Sequence, residues 1–147
     1  MSSYVSPALR RLVAERAEHL CEYCLIHEDD TFLGCQVEHI ISEKHGGATI
    51  ESNLAYACIF CNRLKGSDIA TLTRDGGLCR LFHPRTDGWF DHFRLNGAHV
   101  EAISDVGEAT ATLLGLNHVD RLLERQELRE IGRYPNDAAF RRIRETS

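Results

Sequence analysis

The chain has 147 residues, 43% of them hydrophobic, which suffices for one respectable core and argues against several domains. Its 17 basic and 22 acidic residues leave a net charge of −5, so binding to nucleic acid through bulk charge is excluded; a local basic surface or a bound cation would have to serve. No stretch approaches the roughly 20 apolar residues of a membrane span, Met1-Ser2-Ser3-Tyr4 lacks the basic-then-apolar pattern of a signal peptide, and the expected location is the cytoplasm, with no membrane partner. In that reducing compartment six cysteines read as metal ligands and core thiols, not as a disulfide framework.

Pro7 suits the first turn of a helix whose apolar residues Leu9, Leu12, Val13, Ala17 and Leu20 recur at helical spacing, and which should run to about His19. Cys21-Glu22-Tyr23-Cys24 follows at once, a C-x-x-C turn that presents two thiolates to one metal. His27 reads as a surface histidine more readily than as an extra ligand, and Glu28-Asp29-Asp30 as a solvated acidic loop. Phe32 to Ile41 has the β-branched and apolar enrichment of a strand, with Glu38 and His39 near its end. Ser42 to Ser52, with Gly46-Gly47, reads as a loop, and Leu54 to Ala57 as a short returning strand. Cys58-Ile59-Phe60-Cys61 is a second C-x-x-C, and Asn62 to Ala70 should form a short helix.

After Asp75-Gly76-Gly77 the pattern turns extended: Leu78 to Phe82, then Trp89 to Leu95 and His99 to Ile103 around Asn96-Gly97, a strong hairpin signal. Gly107 to Leu114 and Asn117 to Ile131 read as two helices, with Gly115 ending the first and Asn117 capping the second; Asn136 or Asp137 can cap a last one carrying Phe140 and Ile143. Trp89 is expected in the core of the hairpin. Arg121, Arg125 and Arg129 recur at four-residue spacing, and the interleaved Glu124, Glu127 and Glu130 favour a solvated face over a DNA-facing stripe.

The two C-x-x-C pairs fit a tetrahedral zinc ion held by Cys21, Cys24, Cys58 and Cys61. Four thiolates close the coordination sphere, so this zinc would be structural. Cys35 and Cys79 are left over in apolar strands and read as core thiols.

Glu38-His39-Ile40-Ile41, the Gly46-Gly47 loop leading to Asn53-Leu54, and Cys58-Ile59-Phe60-Cys61-Asn62-Arg63-Leu64-Lys65-Gly66 together resemble the HNH endonucleases, whose core is a ββα-metal fold. The specific part of the resemblance covers Cys21 to Asp68; Leu81-Phe82-His83-Pro84-Arg85 to His92-Phe93 and the helices beyond also look like a C-terminal extension found in one bacterial branch of that family. The resemblance implies an α+β protein of one domain: an N-terminal helix over 1–20, a zinc-stapled core over 21–75, and a C-terminal extension of hairpin and helices over 76–147. It implies metal-dependent hydrolysis of DNA phosphodiester bonds. His39 would be the general base, a role that suits an imidazole because it titrates near neutral pH. Asn53 would accept from one ring nitrogen of His39 and so orient it. Glu38 and Asn62 would hold one divalent ion at the phosphate and the departing 3′-oxygen, and oxygen donors of this kind suit Mg2+ or Mn2+ better than zinc. The family usually has Asp or His where this chain has Glu38, and often His where it has Asn62. Arg63 and Lys65 are candidates for phosphate contact or for a solvated face, His83 and His92 for a ligand or phosphate contact, and His45 for an exposed loop position. The rival readings are a non-catalytic zinc module that binds DNA or protein, and a structural zinc protein without a nucleic-acid partner.

Overall fold

The computed structural model describes residues 4–144; Met1 to Ser3, part of the stretch read above for a leader, lie outside the described residues. The first helix, α1 (Pro7–Arg16), is set by Ser6, whose side chain accepts from the Leu9 amide at 3.2 Å, and by Pro7 in its first turn. It ends short of the expected His19 because Glu18 and His19 take positive φ, a turn without glycine that the sequence does not advertise. That turn delivers the chain to Cys21.

Strand β1 (Cys35–His39) pairs antiparallel with β2 (Leu54–Cys58), placing Cys35 opposite Cys58 and His39 opposite Leu54. The expected start at Phe32 fails: Leu33 and Gly34 have φ of 62° and 69°, and Phe32 and Leu33 are exposed. The helix that follows, α2 (Ile59–Lys65), begins three residues before the expected Asn62, because the Cys58 sulfur caps it by accepting from the Cys61 amide. It also ends earlier. Gly66, at φ 51° and ψ −128°, stops it, and Ala70–Leu72 becomes β3, paired with β4 (Leu78–Arg80).

The C-terminal part opens on a one-turn helix, α3 (Trp89–His92), where extended chain was expected; β5 (Phe93–Asn96) and β6 (His99–Ala102) then form the hairpin. Asn96 pairs with His99, so the turn residues are Gly97 and Ala98, with Gly97 at φ 63°. Three helices finish the chain, α4 (Asp105–Leu113), α5 (Val119–Glu130) and α6 (Asp137–Arg144). Gly115 follows the end of α4 with φ 57°, as a stop residue should. Asn117 does not cap α5; His118 does, while the Asn117 amide accepts from Val100 N at 2.9 Å and donates to Val100 O at 2.7 Å, tying the helix connection to the hairpin. Asn136 caps α6 through the Ala139 amide at 2.8 Å.

The β1–β2 hairpin lies between two apolar clusters. On one face α1 covers it with Val13 and Ala17 against Leu54, Tyr56 and Val37. The larger cluster gathers the four paired cysteines with Leu20, Tyr23, Phe82, Trp89, Phe93 and Leu116. The chain end then returns to its beginning: Tyr134 Oη donates to Cys24 O at 2.7 Å, Arg133 Nε to Asp30 Oδ1 at 2.6 Å, and Arg142 Nη2 to Arg16 O at 3.1 Å. The acidic loop is therefore only partly solvated. Asp30 meets Arg133, and Glu28 accepts from Tyr56 Oη and pairs with His19 at 2.9 Å.

Candidate metal centre and active site

Both C-x-x-C turns have the same local build. In each, the first sulfur accepts from the backbone N–H of the second cysteine at 3.5 Å, which curls the chain so that two sulfurs point the same way. The β1–β2 pairing brings the turns together. The four sulfurs are buried and all lie within 4.8 Å of one another, and Cys24 Sγ is 3.8 Å from Cys58 Sγ. A tetrahedron with sulfur about 2.3 Å from its centre has edges of about 3.8 Å, so the donor set fits zinc. All six cysteines are free of disulfides. Cys35 is half-buried against the core with its thiol pushed up by burial, whereas Cys79 is half-buried in β4 and belongs to neither apolar cluster.

The arginines of α5 correct the expected solvated face. Arg121 is 7% exposed and Arg125 only 1%. Arg121 Nη2 donates to Cys61 Sγ at 3.1 Å and lies 3.6 Å from Cys58 Sγ, while Nη1 donates to Leu114 O at 2.7 Å. Burial alone would lower the pKa of Arg121, but the sulfurs of Cys61, Cys24 and Cys58 raise it. A zinc ion held by the four thiolates would carry a formal charge of −2, and Arg121 would supply one compensating cation within the core. Arg125 donates to Ala98 O at 2.8 Å and to Leu116 O at 2.7 Å, so it fixes the hairpin turn to the α4–α5 connection. Of the three, only Arg129 is solvated, and it bonds Gln126.

At the far end of β1, neighbouring residues divide between the two faces of the strand. Val37 packs under α1, whereas Gln36 and Glu38 face α2. Glu38 is 5% exposed; Tyr23 Oη donates to its Oε1, and Lys65 Nζ lies 3.2 Å from its Oε2. Burial raises the Glu38 pKa while Lys65 and Tyr23 oppose that rise. Lys65, 2% exposed, also donates to Ile40 O at 2.8 Å and His39 O at 3.3 Å. This corrects both readings of Lys65: its ammonium is neither solvated nor free for phosphate, being enclosed by a carboxylate and two carbonyls. Arg63 is exposed on the outer side of α2.

The Asn53 amide makes no hydrogen bond to His39 among the described residues. Its Oδ1 accepts from Ile41 N, and its Nδ2 donates to Ile41 O and Ala48 O, each at 2.9 Å. The amide thus holds the loop 41–53 closed. Gly47 is required there, because a Cβ would lie 1.7 Å from Ile41 O and 2.8 Å from Asn53 Nδ2. The ring of His39 instead meets a residue that sequence reading passed over: its Nε2 lies 2.9 Å from Thr49 Oγ1. Nothing in the composition of Ala48-Thr49-Ile50 marks that contact, which depends on where the closed loop sets Thr49.

The expected pair for a divalent ion does not fit as arranged. Asn62 is half-exposed, and its Nδ2 donates to Gln36 Oε1 at 3.0 Å, which leaves Oδ1 open to a cation. Glu38 offers no such opening, since its two oxygens are held by Tyr23 and Lys65. His83 and His92 gather around Asp87, and His83 and Asp87 line one cavity with Ile40, Ile41 and Lys65. That carboxylate accepts from Arg80 Nη1 at 2.7 Å and from His83 N at 2.8 Å, and lies 3.8 Å from His92 Nε2; His92 Nδ1 is 2.7 Å from Ser104 Oγ. His27 caps the turn over 28–30 through Asp29 N, His45 is exposed as expected, and Trp89 is a core aromatic that donates to Tyr23 O at 2.9 Å.

Burial would raise the Asp87 pKa, but the Arg80 guanidinium and the His83 amide hold it below its usual value. A carboxyl depressed on folding stabilises the fold above its unfolded pKa of about 3.9 and loses that effect as pH falls through the folded value. Asp87→Asn should therefore lower the urea midpoint at pH 7, and the gap from wild type should close below about pH 4. A gap unchanged down to pH 3 would show that the charge contributes nothing.

Residues 21–68, about a third of the chain, match the family model described as HNH endonuclease. No curated protein and no solved structure matches the chain.

Proposed function

We propose, with the HNH endonuclease domain of residues 21–68 as the premise, that this protein hydrolyses phosphodiester bonds of DNA. The observation that carries the reading is His39. It stands half-buried where β1 opens into the loop that Asn53 closes, one ring nitrogen is engaged by Thr49, and Nδ1 has no hydrogen-bond partner among the described residues. A neutral imidazole can take the proton of a water molecule as that water's oxygen bonds to phosphorus and the bond to the 3′-oxygen breaks. The exposed Arg63 would meet a neighbouring phosphate. Magnesium or manganese is the oxygen-preferring ion such a site would take, supplying positive charge beside the phosphate; Asn62 Oδ1 is its open donor, and Glu38 would have to release Lys65 to join it. Zinc at the four cysteines is scaffold, and cytoplasmic conditions would keep those thiols available.

The engagement of Glu38 by Lys65 is also what favours the second reading, a zinc-stabilised module that binds DNA or protein without cutting. Supercoiled-plasmid nicking separates the two. Wild type should nick with magnesium or manganese, and His39→Ala should lower the rate by about 10²- to 10⁴-fold, the range of general-base contributions. Binding of DNA with no nicking in either metal would leave the module standing and end the catalytic reading.

A further inference from the structure

We infer that Thr49 is a positioning residue for His39: its hydroxyl accepts from Nε2–H and so leaves Nδ1 as the nitrogen that takes the proton. The inference rests on the nuclease reading for the direction of the hydrogen bond and for what Nδ1 does, and on the loop geometry for the contact itself.

Three contacts build the arrangement. Asn53 binds both the N–H and the C=O of Ile41, and its Nδ2 also reaches Ala48 O, so the residue before Thr49 is fixed against the strand that carries His39. Gly47 lets the two sides of the loop approach closely enough for that amide to reach across. On the other side, Lys65 Nζ donates to His39 O and Ile40 O, fixing the backbone from which the imidazole projects. Backbone and loop being held, Thr49 Oγ1 at 2.9 Å from Nε2 sets the ring. A β-branched side chain suits this role because its χ1 is stiff, so the hydroxyl stays where the backbone puts it.

The direction of the hydrogen bond follows from what a base must do. When Nδ1 takes a proton, the ring carries N–H on both nitrogens. An accepting Thr49 oxygen remains bonded to Nε2–H before and after that step, and the bond strengthens as the ring becomes charged. A donating hydroxyl would require Nδ1 to be the protonated nitrogen already, and the base would be blocked. The central asparagine of the motif, Asn53, therefore acts on His39 through the loop and Thr49, not by a hydrogen bond of its own.

The test has two independent parts. Long-range proton–nitrogen NMR on histidine-labelled protein should show His39 as the Nε2–H tautomer in wild type, a shift toward Nδ1–H in Thr49→Val, and recovery in Thr49→Ser. In plasmid nicking, Thr49→Val should lower kcat by about 10- to 100-fold, the rate equivalent of one hydrogen bond to a group that becomes charged, with KM unchanged. Thr49→Ser should restore most of the rate. An Nδ1–H tautomer in wild type, or a Thr49→Val protein with the wild-type tautomer and rate, overturns the assignment. If wild type does not nick at all, the nuclease reading fails, and the tautomer measurement still decides whether Thr49 sets the His39 ring.

Discussion

Stripping the metal from Cys21, Cys24, Cys58 and Cys61 should unfold the chain, not merely loosen it. Structural zinc sites contribute about 10–16 kcal/mol of apparent binding energy in small domains, as much as or more than the roughly 5–15 kcal/mol by which domains are stable at all. Here the four sulfurs sit inside the main apolar cluster, so their loss is felt by Leu20, Tyr23, Phe82 and Trp89 together. It would also leave Arg121 buried beside sulfurs that no longer carry their full negative charge. A strong chelator, or Cys58→Ser, should abolish most of the helical circular dichroism and expose the chain to protease from Cys21 onward. Elemental analysis should find one zinc per chain before treatment. A metal-free, unoxidised sample that melts like the untreated protein would refute the claim.

Lys65→Met should be the most damaging single change outside the cysteines. It leaves Glu38 buried with only Tyr23 to answer it, and removing one partner of a buried ion pair costs about 3–5 kcal/mol. The lost bonds to His39 O and Ile40 O add to this. In a domain of this size the melting temperature should fall by roughly 6–20 °C. Because burial already raises the Glu38 pKa, the orphaned carboxyl can neutralise itself by taking a proton, so the loss should shrink as pH is lowered. The double substitution Glu38→Gln with Lys65→Met should recover a good part of the stability at pH 7, since a neutral amide no longer needs a cation. If the double variant is as unstable as Lys65→Met alone, packing and not charge is what Lys65 supplies.

What the sequence made legible is what depends on spacing. The paired C-x-x-C turns, the strands that bracket Gly46-Gly47, the hairpin around Gly97 and the helix stop at Gly115 all follow from local chemistry, and all appear in the fold. The α+β class and the four-cysteine cluster follow with them. What spacing could not convey is which partner a long polar side chain finds. Arg121 and Arg125 look like members of a solvated stripe because Glu124 and Glu127 alternate with them; their burial is decided by the cysteine sulfurs and by carbonyls at Leu114, Leu116 and Ala98, far away in sequence. Lys65 resembles an exposed helix-end lysine until the hairpin places Glu38, His39 O and Ile40 O around its ammonium. Asn53 was expected to meet His39, but its amide is satisfied within the loop, and a threonine with no motif of its own takes the contact.

The return of the last helices onto the first turns has a consequence for how the protein is made. The four clustered cysteines are complete once Cys61 has been synthesised, but Arg121, Arg133, Tyr134 and Arg142 close the structure over segments made some 60 to 126 residues earlier. Until Arg121 is made the clustered sulfurs lack the guanidinium that faces them, and until Arg142 is made the first helix lacks the arginine that ties it to the last. Contacts of such sequence separation form late and slowly. A chain truncated before Asn117 would lack all four of these closing contacts, and protease should cut it faster than the longer chain.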